Sequence, residues 1–291
     1  MLPAFIVAAL VLAGGASDHA QAARCGGAPL QAARASAVMR VPFEIVSGRI
    51  YVQVHVNGAG PYRFMFDSGA TGMGRADTSL VNELSIPIAG TATNSDGVNT
   101  TTVNVVRLQS VSLGGMTRTD VEVLSRDYSR GGEAAKMSGI IGRDFFADGL
   151  LVIDYPARML VFARASLRSG DEGIVAYQGN FHVPVTIGSE TVDGMLDTGS
   201  NLTMHLPRSL YDRIAADPLT PAGEGRRANT VFELYSTRLR DPVRIGVLSI
   251  SDAPVMVSDL APWLNIGAGF LKDYVLAFDQ RSRLVALCPP T

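Results

Sequence analysis

Two aspartates stand in nearly the same short setting: Met65-Phe66-Asp67-Ser68-Gly69 and Met195-Leu196-Asp197-Thr198-Gly199. Two carboxylates a few ångström apart cannot both ionise cheaply. One is pushed up, the other down, and the pair shares a proton. The ionised member can take a proton from a water held between them, and the protonated member can donate to a carbonyl oxygen. That is general acid–base hydrolysis of an amide with no covalent intermediate. Ser68 and Thr198 put a hydroxyl directly after each aspartate, suited to holding the two loops by hydrogen bonds. Gly69 and Gly199, with the small Ala70 and Ser200 after them, allow close backbone approach.

An isolated Asp-Ser/Thr-Gly carries little weight, because aspartate beside glycine is a common turn signal. The weight comes from the elements around it. One stretch runs from Arg49 through Val52, Val54 and Val56 to Phe64-Met65-Phe66-Asp67, and the other from Asn180 through Val183, Val185 and Ile187 to Gly194-Met195-Leu196-Asp197. Each opens with the period-two alternation of a half-buried strand. Each turns at glycine, Asn57-Gly58 or Gly188-Ser189, and a second apolar strand leads into the aspartate. A carboxylate at the end of a buried strand is costly unless it is paired or used.

A second match follows each first one. Ile140-Ile141-Gly142 precedes the apolar run ending at Asp154, and Asn265-Ile266-Gly267 precedes the run ending at Asp279. Glycine to aspartate is 12 residues in both (154 − 142 and 279 − 267). The offset between copies is 130 for the first motif (197 − 67) and 125 for the second (267 − 142). Two motifs in one order at nearly one offset predict two copies of a strand-rich unit. The seam falls at 163–173, where Arg, Ser, Gly, Asp and Glu cluster without periodicity. Short helices are expected at 78–84, at 207–216 with Pro207 in the first turn, and after Gly142 and Gly267. Hairpin turns are expected at Asp96-Gly97 and Gly114-Gly115. The polar stretches 126–136 and 217–229 read as mobile loops.

With these residues on the page, the sequence resembles the retropepsin-like aspartyl proteases, in a duplicated single-chain bacterial form laid out like pepsin. The resemblance covers about residues 43–288. The family's hydrophobic-hydrophobic-Asp-Thr/Ser-Gly is matched at Asp67 and Asp197. Asp197-Thr198-Gly199-Ser200-Asn201-Leu202 also resembles the pepsin-like version. A later hydrophobic-hydrophobic-Gly, which braces the aspartate loop, is matched by Ile140-Ile141-Gly142. Its second copy departs, with Asn265 where an apolar residue is usual. The resemblance implies an all-β, two-lobed acid-protease fold with pseudo-twofold related β-barrel lobes and a few short helices. It implies the shared-proton dyad of aspartic proteases, with Asp67 and Asp197 catalytic and Ser68, Gly69, Thr198 and Gly199 supporting their loops. It also implies a flap at 93–102, which places Gly97 at its tip beside substrate. The second half's equivalent, 228–237, offers Phe232 and Tyr235 as pocket-lining aromatics, although core packing is the simpler account of them. Asp154 and Asp279 read as structural residues at strand ends or turns, and Asp144, aligned with Gly269, has no catalytic part.

The chain of 291 residues is 47% hydrophobic, with a formal net charge of −2 and no long block of like charge. That is ample for a core, and nothing in it fits a nucleic-acid partner. The expected divisions are 1–22 a signal peptide, 23–42 a flexible leader, 43–165 one acid-protease lobe and 172–291 the other. The apolar run 4–13 followed by Ala20-Gln21-Ala22 fits a cleaved secretory signal. Export to the periplasm or outside the cell is therefore expected. An uncleaved N-terminal anchor is the alternative, with no stable membrane span once the signal is removed. Cys25 and Cys288 either pair in an oxidising compartment or remain free thiols in the two tails. The four histidines, His19, His55, His182 and His205, are too scattered for metal-ligand spacing, so no metal and no cofactor is expected. The activity expected is that of a monomeric aspartic endopeptidase acting on polypeptide. The alternative is a non-catalytic binding or scaffold protein on the same fold.

Overall fold

The computed structural model describes residues 25–129 and 136–290. The expected signal peptide at 1–22 and most of the loop at 126–136 lie outside the described residues. The protein is all-β, 54% strand and 10% helix. Among the described residues no helix is long and apolar enough to cross a membrane.

Helix α1 (Gly27–Ala35) is followed by strands β1 (Met39–Pro42), β2 (Glu44–Val46), β3 (Arg49–Val56), β4 (Ala59–Asp67) and β5 (Gly74–Asp77). Helix α2 (Thr78–Glu83) then leads to β6 (Ile88–Ser95), β7 (Thr100–Leu113), β8 (Met116–Arg126) and β9 (Gly139–Gly142). A 3₁₀ turn (Arg143–Phe146) precedes β10 (Leu150–Asp154) and β11 (Met159–Ala163). The second half runs β12 (Ile174–Ala176), β13 (His182–Ile187), β14 (Glu190–Asp197) and β15 (Met204–Pro207), then α3 (Arg208–Tyr211). It continues with β16 (Thr220–Arg226), β17 (Val231–Arg238), β18 (Val243–Ile245), β19 (Leu248–Ile250), β20 (Pro254–Ser258) and β21 (Leu264–Gly267). Helix α4 (Ala268–Leu271) and strands β22 (Val275–Asp279) and β23 (Leu284–Cys288) complete it.

One sheet is ordered β2-β3-β4-β9-β5-β8-β7-β6, and a second is ordered β19-β18-β13-β14-β21-β15-β20-β17-β16. The central pairings correspond. β4 runs parallel to β9 as β14 does to β21, and β5 parallel to β8 as β15 does to β20. The valines that alternate in the sequence face inward: Val52, Val54 and Val56 are buried, as are Val183, Val185 and Ile187. A third, six-stranded sheet, β1-β11-β10-β22-β23-β12, takes three strands from each half. Its centre is the antiparallel pair β10–β22, with Val152 opposite Ala277. A single large core joins the halves, including Phe66, Phe146, Phe162, Leu196, Ile266 and Phe278.

Three expectations are corrected here. Residues 25–42, expected as flexible leader, form α1 and β1. Leu30 and Ala33 of α1 are buried against Leu150, Val152, Val275 and Ala277 of the six-stranded sheet. Fully burying a leucine contributes about 1.5–3 kcal/mol, which an Ala/Gly-rich reading does not anticipate. Cys25 is disulfide-bonded to Cys288, Cα–Cα 5.5 Å, so of the two cysteine readings the paired one holds. The stretch 217–229, expected as a loop, carries strand β16, paired antiparallel with β17 through a register shift between Pro221 and Glu224. The helix expected over 207–216 is a single turn, and Pro207 stands before it in extended conformation rather than in its first turn. The turns at 96–99 and Gly114-Gly115 fall where the sequence puts them, as does α2, capped by the Asp77 carboxylate accepting from the Ser79 N–H (2.8 Å).

Candidate active site

Each aspartate ends a strand that runs parallel to a glycine-ended neighbour. Asp67 on β4 lies opposite Gly142 on β9, and Asp197 on β14 lies opposite Gly267 on β21. The two glycines are required by backbone crossing. A Cβ on Gly142 would come within 2.4 Å of the Gly72 carbonyl oxygen, and one on Gly267 within 2.2 Å of that of Leu202. The same backbone bonds fasten both loops. The Gly142 N–H donates to Met73 O, and the Gly267 N–H to Thr203 O, each at 3.0 Å. The Arg143 N–H donates to Ala70 O (3.2 Å), and the Ala268 N–H to Ser200 O (2.7 Å).

The loops then grip each other. The Ser68 N–H donates to Thr198 Oγ1 (2.9 Å), and the Thr198 N–H to Ser68 Oγ (3.0 Å). The hydroxyls reach across in turn, Ser68 Oγ to Leu196 O (2.9 Å) and Thr198 Oγ1 to Phe66 O (3.3 Å). Both side chains are fully buried, so each missing partner would leave an unsatisfied polar group. This network brings the side chains of Asp67 and Asp197 into close approach. Gly69 and Gly199 make room for it. A Cβ on Gly199 would sit 2.4 Å from Asp67 Cγ, and one on Gly69 would sit 2.8 Å from Asp197 Oδ1.

The aspartates are not equivalent. Each accepts the N–H two residues on: Gly69 to Asp67 Oδ1 (2.8 Å) and Gly199 to Asp197 Oδ1 (2.9 Å). Asp197 alone gains a further donor, the Asn265 amide, with Nδ2 2.7 Å from Oδ2. Burial, and after it the negative charge of Asp197, push Asp67 up to about 7. Charged groups of both halves face the pair. Arg75 of β5 acts on Asp67 and Arg227 on Asp197. Arg75 also donates to the Thr71 and Gly74 carbonyls (2.7 Å each). The buried phenol of Tyr155 lies near both aspartates, and Tyr128 lies near Asp67.

The remaining expected residues fall in two places. Gly97 sits in the β6–β7 turn against the second half, where an added Cβ would lie 2.5 Å from the Trp263 ring. Phe232 is buried and stacked on His205, ring centroids 5.2 Å apart. The Arg227 guanidinium stands 5.8 Å from its ring and 5.7 Å from that of Trp263. Burial, then the Arg227 charge, hold His205 down at about 4, and its Nε2 pairs with Ser258 Oγ (2.8 Å). Tyr235 is not grouped with these. Its hydroxyl donates to Glu233 (2.9 Å) and its ring lies under the Arg208 guanidinium. Asp154 and Asp279 end strands β10 and β22. Asp154 accepts from the Ala157 N–H and from Arg34, and Asp279 accepts from the Leu167 N–H and the Arg281 and Ser282 N–H groups.

Sequence reading missed one contact altogether. The tips of the β6–β7 and β16–β17 hairpins are joined. The Asn229 N–H donates to Asp96 Oδ2 (2.7 Å), and its amide donates to the Asn94 and Asn99 carbonyls (3.0 and 3.1 Å). Arg227 donates to Asp96 O (3.2 Å), and the Asn99 amide to Thr230 Oγ1 (3.0 Å). Arg126 binds Ala228 O and Asn229 Oδ1 (2.7 and 2.9 Å). These residues lie about 100–135 positions apart, and no repeated pattern links them. Because the hairpins belong to different sheets, their joined tips form a bridge from one sheet to the other. Among the described residues no cluster of three His, Cys, Asp or Glu side chains is placed to hold a metal ion.

No curated protein matches the chain. Residues 52–145, which carry Asp67-Ser68-Gly69 and the bracing Ile140-Ile141-Gly142, match the family model described as aspartyl protease.

Proposed function

We propose that the chain is an aspartic endopeptidase in which Asp67 and Asp197 hydrolyse a peptide bond through a water held between them. One observation carries this reading: the side chains of two aspartates come together on loops locked by four reciprocal bonds. A pair so held shares one proton. The charged carboxylate takes a proton from the water as its oxygen attacks the carbonyl carbon. The protonated carboxylate donates to the carbonyl oxygen. In the collapse of the tetrahedral adduct, the C–N bond breaks and the amine leaves with the proton taken from the water. One adduct hydroxyl returns its proton to the carboxylate that had donated, so that the C=O re-forms and the shared proton is restored. The aspartyl protease match over 52–145 supports hydrolase chemistry of this class. Both aspartates come from one chain, which supports a monomer. The Cys25–Cys288 disulfide supports residence in an oxidising compartment, periplasmic or extracellular. The halves 43–165 and 172–291 act as the two lobes.

The test is cleavage of a peptide library by wild type, Asp67→Asn and Asp197→Asn. Each variant is expected to lose at least about a thousandfold in kcat with the fold retained. Wild-type cleavage by either variant rejects the dyad. No cleavage by wild type across the acidic to neutral range leaves the alternative, a binding protein on this fold.

A further inference from the structure

We infer that Asn265 is a positioning residue for the dyad, one that holds Asp197 as the charged carboxylate and leaves the shared proton on Asp67. The inference deepens the peptidase reading and rests on it for its catalytic consequence only.

Position 265 is where the two halves differ most directly. In the parallel pair β4–β9, Met65 lies opposite Ile140; in β14–β21, Met195 lies opposite Asn265. Both neighbours are two residues before their aspartate, so Ile140 and Asn265 share the face of the sheet on which the aspartate side chains project. Ile140 is buried and packs with Tyr51 and Met65. Asn265 is equally buried, 5% exposed, but is polar, and its amide donates to Asp197 Oδ2 at 2.7 Å. Among the described residues it is the one side chain, other than the partner aspartate, that donates to either carboxylate.

An amide N–H has no acceptor lone pair, so this bond is strongest when Asp197 Oδ2 is a carboxylate oxygen. Protonating that oxygen would set one donor against another. Asp67 has no such donor and can carry the proton. The other groups facing the pair do not decide the matter. Arg75 and Arg227 supply one positive charge to each aspartate. Tyr155 lies near both, and the backbone donors Gly69 and Gly199 match. His205, directly opposite Asn265 on β15, is bonded to Ser258 instead. The upward push on Asp67 agrees with this placement.

The cost of Asn265 points the same way. Its Oδ1 is buried and has no hydrogen-bond partner among the described residues. A half-satisfied buried amide is less favourable than an apolar residue of the same shape. An isoleucine at this position serves the first half well, so the asparagine is explained by its bond to Asp197 and not by packing. The assignment gives each carboxylate a role: Asp197 accepts the proton from water, and Asp67 donates to the carbonyl oxygen.

The test reads protonation and catalysis separately. Protein labelled with ¹³C at the aspartate carboxyl carbons is titrated from pH 4 to pH 9 by NMR, with Asp67→Asn and Asp197→Asn assigning the two signals. In wild type the titration near neutrality is expected to belong to the Asp67 signal and not to that of Asp197. In Asn265→Leu the two signals are expected to move together, as a proton divided between equivalent sites requires. kcat falls about tenfold or more, as expected for losing a hydrogen bond to a charged group, with the pH–rate profile displaced and KM little changed. Ile140→Asn, which gives Asp67 the same donor, is expected to bring the two signals together as well. It provides the reading should Asn265→Leu fail to fold. Independent titration of the two signals in both variants, or a wild-type neutral titration belonging to Asp197, overturns the inference. Signals that behave as expected in a protein that cleaves nothing uphold it and reject the peptidase reading alone.

Discussion

The loop around Asp67 and the loop around Asp197 are built alike and finished differently. Parallel strand pairs, bracing glycines and the Ser68/Thr198 grip recur bond for bond. The contrast that bears on the carboxyl groups lies in what stands beside them: Ile140 and Arg75 on one side, Asn265 and His205 on the other. A symmetric scaffold brings the two acids together, and unlike neighbours let them do unlike work. Geometry and proton placement are thus set by separate residues, and each can be perturbed without the other.

The largest expected effect concerns pH and stability. Burial, and after it the charge of Asp197, push the folded Asp67 up to about 7, well above the range of a free aspartate. Between that range and about 7 the native state binds the proton that the unfolded chain has released. This contribution to stability is therefore fully present below about pH 4 and is lost as pH rises towards 7. Asp67→Asn should remove this decline, melting above wild type at pH 7 and converging with it near pH 4. Asp197→Asn should remove only part of it, since burial is the first cause and the partner's charge the second. Chemical denaturation at several pH values measures both, and an equal effect from the two variants would show that the acids are equivalent after all.

A smaller effect separates the glycines. Gly199→Ala would place a methyl against the Asp67 carboxyl from 2.4 Å, and Gly69→Ala would place one 2.8 Å from Asp197 Oδ1. Both should lower kcat, Gly199→Ala by about a hundredfold, as a displacement of about an ångström does, and Gly69→Ala by less. Steady-state kinetics of the two variants gives the order, and the reverse order would contradict the packing described. Smallest, and equal if the grip is symmetric, are Ser68→Ala and Thr198→Ala. Each removes a hydroxyl with two bonds inside the protein and should cost about 1–3 kcal/mol in urea unfolding. A difference well beyond that spread would mean that one half bears the grip alone.

The sequence made the strands legible because burial on one face writes itself as alternation, as in Val52-Gln53-Val54 and Val183-Pro184-Val185. It made the meeting of the aspartates legible because two motifs recurred in order at one offset. Asn265 was visible as a break in the pattern. Its contact with Asp197 needed the register of β14 on β21, which follows only once Gly267 is set opposite Asp197. Helix α1 was hidden by an Ala/Gly-rich composition whose stability comes from the sheet beneath it and not from local propensity. Strand β16 was hidden by Pro221, Gly223 and Gly225, since strand pairing along an edge tolerates residues that propensity disfavours. The bridge between hairpin tips was hidden because Asp96 and Asn229 are polar turn residues, and nothing local tells a turn that binds water from one that binds another turn.

The Cys25–Cys288 bond ties residues 263 apart in sequence onto the six-stranded sheet. In mechanical terms, a load applied between those two ends passes through the disulfide and bypasses everything between them. Tension on the termini therefore reaches neither the sheets nor the aspartates. A pull on a polypeptide lying between the halves, by contrast, would be felt first at the hydrogen bonds that join Asp96 to Asn229.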